Sequence, residues 1–64
     1  MKGVNYKVTD ITVSKTNDGY YVEWMYAGTP HWAQGEFFID KDGYLHHSFL
    51  SPRGKEIEFK VKVR

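Results

Sequence analysis

Apolar and polar side chains alternate along most of this chain with a period of two, the spacing of strands that bury one face. Val4, Tyr6 and Val8 alternate with Asn5, Lys7 and Thr9; the apolar parity then moves to Ile11 and Val13, which predicts a bulge or a break at Thr9-Asp10. In a second strand Tyr20, Val22, Trp24 and Tyr26 share one face, with Tyr21, Glu23 and Met25 on the other. Phe37 and Ile39 share a face in a third, and Leu45, His47 and Phe49 in a fourth. The last is the most regular: Ile57, Phe59, Val61 and Val63 alternate with Glu58, Lys60, Lys62 and Arg64.

Three connections, Thr16-Asn17-Asp18-Gly19, Asp40-Lys41-Asp42-Gly43 and Ser51-Pro52-Arg53-Gly54, end in glycine, as a type I turn followed by a left-handed residue requires. The exception runs from Ala27 to Gln34 through Gly28, Thr29, Pro30, His31 and Trp32. It lacks a clear structural period and is expected to be an irregular, functional loop. No helical period is sustained anywhere. The expectation is an all-β domain: a small five-stranded antiparallel meander, closing into an SH3-like or OB-like barrel or a strongly twisted sheet.

Length limits this to one domain spanning residues 1–64. At 17% aromatic, the chain has large rings with which to build a core that no disulfide supports, for it has no cysteine. That absence suits a reducing cytosol and a cytoplasmic protein. No apolar stretch of the signal-peptide kind opens the sequence, and none approaches the roughly 20 apolar residues of a membrane span. A net charge of +1 is far from the basic balance of a protein that lives on phosphates, so a nucleic-acid role has to rest on local charge.

Catalytic and metal chemistry find little support. His46 and His47 are adjacent in a strand and point to opposite faces, and His31 with one of them lacks a third ligand. Asp40-Lys41-Asp42-Gly43 starts like a calcium loop but has Ser51 where that loop needs its final glutamate. Nucleophile-elbow serines and glycine-rich phosphate loops are absent. A nuclease-like pairing of His46 with Glu36 or Asp40 stays open. The reading is a non-enzyme without a cofactor or a metal.

Binding features are more numerous. Aromatic residues exceed what one small core hides, so Tyr21, Met25 and Phe38 are expected to look outward, with Trp32 and His31 on the irregular loop. These five are the candidate protein-binding residues, since exposed aromatic and Met side chains dominate interface hot spots. Lys60, Lys62 and Arg64 form a basic ladder that Lys7 joins if the first and last strands pair. With Phe38, Tyr44 and His46 as stacking rings, that ladder makes single-stranded nucleic acid the alternative ligand. Self-association over the same aromatic surplus is a further possibility.

Gly43-Tyr44-Leu45-His46-His47-Ser48-Phe49-Leu50-Ser51, with Gly19-Tyr20-Tyr21, resembles strands of bacterial SH3 domains; this implies a cell-wall or peptide-binding module as a third reading. The segment Gly28 to Gly43 is longer than that family's hairpin, and the strand after Ser51 is extra. The same stretch is similar to cold-shock domains, which would place Phe38, Tyr44, His46 and His47 at base-facing positions with Gly35 and Ile39 as framework. Glu36 and Phe37 depart from that pattern, and a carboxylate beside a phosphate path repels. Both resemblances imply a small five-stranded barrel. The chain is thus read as a non-catalytic binding module, a small accessory or inhibitory protein whose first expected partner is another protein.

Overall fold

The computed structural model describes residues 7–64. They form six antiparallel strands: β1 (Thr9–Thr16), β2 (Gly19–Tyr26), β3 (Thr29–Gly35), β4 (Phe38–Ile39), β5 (Tyr44–Leu50) and β6 (Glu56–Lys62). These pair as two three-stranded sheets, sheet A in the order β1-β2-β3 and sheet B in the order β4-β5-β6. The domain is therefore all-β, but the expected five-stranded meander and closed barrel are not formed. No ladder joins β3 to β4 or β1 to β6 among the described residues. Val4 and Tyr6 of the expected first strand lie outside the described residues, and Lys7, which is exposed, does not extend the basic ladder.

The extra strand comes from the segment expected to be an irregular loop. Ala27 and Gly28 have φ of 54° and 75°, the consecutive left-handed residues of a two-residue type I′ hairpin, and β3 follows at once. Two features hid it. Ala-Gly lacks the Asn-Gly signature of such turns, and along β3 the polar His31 faces the core while Trp32 faces water, which reverses the hydropathy of the pattern. Pro30 is tolerated because β3 is an edge strand, where a missing backbone donor need not break a ladder.

The bulge expected at Thr9-Asp10 is present: Asp10 has φ 54°, and the β1–β2 register shifts between Thr9 and Thr12. The turns after β4 and β5 use one device twice. Gly43 N–H donates to the Asp40 carbonyl (3.0 Å), and Gly54 N–H to the Ser51 carbonyl (2.8 Å), each glycine at a positive φ. In both, the first residue's side chain also accepts from the backbone four positions on: Asp40 Oδ1 from Tyr44 (3.0 Å) and Ser51 Oγ from Lys55 (3.1 Å).

The sheets face each other across a layer of rings. Val22, Trp24 and Tyr26 of β2 and Leu45 of β5 are buried, with Phe49, Phe59 and Val61 among the side chains packed around them. Trp24 is central. Its ring lies 5.7 Å from His31 in its own sheet, nearly parallel, and 5.1–5.2 Å from His47, Phe49 and Phe59 in the other. The glycine opening β2 is fixed by this arrangement: at Gly19 (φ 154°) a Cβ would overlap the carbonyl of Gly35, where the chain leaves sheet A. No helix among the described residues is long and apolar enough to cross a membrane.

Stability should follow the backbone conformations. Ala27→Asn, which suits a left-handed turn better than alanine, is expected to stabilise by about 0.5–1 kcal/mol and raise Tm by a few degrees. Gly19→Ala should lower Tm, and thermal unfolding by circular dichroism measures both.

Candidate functional site

Each sheet leaves one face outward, and the two faces differ in chemistry. On sheet A the register sets Glu23 opposite Trp32, Tyr21 opposite Gln34 and Met25 opposite Pro30. Trp32 is 65% exposed, and its ring stacks on that of Tyr21 with centroids 6.0 Å apart. The Tyr21 hydroxyl donates to Glu23 Oε2 at 3.0 Å. That hydrogen bond, with smaller contributions from desolvation and the Glu23 charge, raises the phenol pKa above its ordinary value. The result is an indole braced by a neighbouring ring, with Met25 on the same face.

Of the five residues expected to bind a protein, Tyr21, Met25 and Trp32 are brought to this face. His31 is turned the other way: it stacks on Trp24, approaches Phe49 (5.2 Å), and its Nδ1–H donates to the Thr29 carbonyl at 2.9 Å. Phe38 lies on sheet B. A strand places neighbours on opposite faces, so His31 and Trp32 could share a surface only in the irregular loop that is not there.

The outer face of sheet B collects the other candidates. Phe38 pairs with His46, His46 with Lys60, and Tyr44 with Lys62. Phe38 is 67% exposed, with its ring centroid 5.3 Å from that of His46. The ammonium groups of Lys60 and Lys62 lie 4.8 and 5.0 Å from the Tyr44 ring, and Lys62 also donates to the Asp42 carbonyl at 2.8 Å. Arg64 follows β6 and packs beside Gly43. With Tyr44 already engaged by two cations, Phe38 is the open stacking ring of this face. Glu56 and Glu58 occupy its far end.

Asp40 organises that face from its turn. Its Oδ1 accepts from the Asp42 and Tyr44 amides, and its Oδ2 lies 2.7 Å from His46 Nε2. The hydrogen bond to His46, then the one from Tyr44, lowers its pKa from 3.8 to about 2. This is the pairing of His46 with Asp40 left open by the sequence; Glu36 takes no part in it. The carboxylate orients the imidazole ring on this face. His46 and His47 do face opposite ways, for His47 sits edge-on to Trp24 and Phe37, each with centroids 5.1 Å away. Burial lowers its pKa below 6.5. Among the described residues no three His, Asp or Glu side chains converge as metal ligands.

No family model, curated protein or solved structure matches this chain.

Two pH windows of stability follow. His47 protonates more readily when unfolded, so its contribution is complete above pH 6.5 and declines as pH falls below that value. Asp40 contributes fully above pH 3.8, and that contribution is lost as pH falls toward about 2. In Tm measured against pH, His47→Phe should flatten the upper window and Asp40→Asn the lower one.

Proposed function

We propose that the chain is a non-catalytic binding module that engages another protein through the outer face of sheet A, with Trp32 as anchor and Tyr21 and Met25 beside it. The observation that carries this reading is the exposed indole held against Tyr21 on a sheet face. An aromatic side chain that large gains most from leaving water. Its entropy cost on binding is reduced because a neighbouring ring already restricts it. The polar rim of Glu23 and Gln34 supplies hydrogen-bonding groups around an apolar centre, as protein interfaces do. The lack of cysteine suits a cytoplasmic accessory or inhibitory protein.

A second reading, single-stranded nucleic acid on sheet B, is favoured by the convergence of Phe38, His46, Lys60 and Lys62 on one face. It ranks lower because Tyr44 is covered by the lysines and because Glu56 and Glu58 oppose phosphate along the same strand.

The two readings separate in one experiment. A partner captured from nuclease-treated extract of the source cell, identified and then titrated in purified form, should lose at least about tenfold in affinity on Trp32→Ala. It should be indifferent to Lys60→Glu with Lys62→Glu. Steeply salt-dependent binding of an oligonucleotide, lost in the lysine variant and unaffected by Trp32→Ala, would replace the first reading with the second.

A further inference from the structure

The last strand carries a charge order complementary to itself. Glu56 and Glu58 precede Lys60 and Lys62; all four are exposed on the outer face of sheet B, while Ile57, Phe59 and Val61 take the inner parity and pack on the core. Suppose a second copy of β6 is laid antiparallel alongside the first, centred on Phe59. Glu56 then stands opposite Lys62 of the second copy and Glu58 opposite its Lys60, and the twofold axis repeats both contacts. On the inner parity Ile57 meets Val61, and Phe59 meets itself. Every cross-strand neighbour is opposite in charge or apolar on both sides.

Other registers lose this match. Sliding by two residues sets Lys60 against Lys60 or Glu58 against Glu58, and parallel in-register pairing sets every charge against its like. The pattern therefore selects one isologous arrangement.

Among the described residues no strand covers the second edge of β6. Among the described residues β6 is hydrogen-bonded to β5 alone, and a groove of about 530 Å³ separates it from β1. The groove is lined with Ile11, Val13, Tyr20, Val61 and Val63 together with Lys15, Lys62 and Arg64, the Lys62 ammonium lying over Tyr44 on the outer face of sheet B. No carboxylate among the described residues forms an ion pair with these three. In the centred register the second copy brings Ile57 alongside Val61 at that groove and Glu56 to Lys62. Apolar side chains and opposite charge are thus supplied by the same segment.

We propose that β6 is a self-pairing strand, through which two copies of the chain join their B sheets edge to edge about a twofold axis at Phe59. The sheet A face and its Trp32 remain free in both copies, so the inference does not rest on the function proposed above.

Complementary charge swaps test it, with nucleic acid absent and folding checked by circular dichroism. Sedimentation equilibrium should show a reversible dimer for the unaltered chain. Glu56→Lys with Glu58→Lys, and separately Lys60→Glu with Lys62→Glu, should each weaken self-association at least about tenfold. Mixing the two variants in equal amounts should restore a dimer containing one of each. Dimerisation indifferent to both reversals would overturn the proposal in favour of another surface. So would a chain that stays monomeric up to about 1 mM, whether its β6 amides exchange freely or are already protected by another segment of the same chain.

Discussion

The structure depends on the stacking of aromatic rings around Trp24. A chain of 64 residues without disulfides has little interior, and small domains of this size are marginal unless something dense fills the space between their layers. Trp24 fills it from the centre of β2, meeting His31 from its own sheet and His47, Phe49 and Phe59 from the other. Among the described residues no backbone ladder crosses between the sheets, so beyond the chain connection at Glu36-Phe37 they are joined by side-chain contact. The layer has a polar cost. Among the described residues the Trp24 indole N–H is buried without a hydrogen-bond partner, and burial lowers the pKa of His47.

From that constraint the division of labour between faces follows. Once the alternate residues of β2, β5 and β6 are committed to the ring layer, the remaining parity must face water. That parity carries Tyr21 and Met25 on one sheet and Tyr44, His46, Lys60 and Lys62 on the other. The aromatic surplus is thus split between two opposed surfaces. Sheet A presents a neutral indole with a carboxylate beside it, and sheet B presents cations already shared with a ring. The protein ligand proposed for the first face and the self-pairing proposed for the β6 edge of the second both rest on this difference in charge.

Much of this was legible in the sequence because a period of two and glycine-ended turns are local signals. The faces of β2, β5 and β6 and the bulge at Asp10 all follow from alternation. The hairpin at Ala27-Gly28 was not legible. Its turn uses a residue that gives no left-handed signal, and β3 buries His31 while exposing Trp32, an arrangement settled only by the ring layer on the far side of the sheet. Without that strand the pattern reads as one meander and sets His31 and Phe38 beside Trp32, from which the fold separates them. Asp40 read as a turn residue, and its second role in holding His46 depends on the pairing of β4 with β5.

Nuclear Overhauser contacts from the two indole rings in solution test whether Trp24 joins the two sheets while Trp32 stands outside them. Cross-peaks are expected from Trp24 to the rings of His47 and Phe59, with Trp32 reaching Tyr21 and no residue of β5 or β6. A Trp24 indole without contacts to sheet B, or a Trp32 indole packed among them, would contradict it.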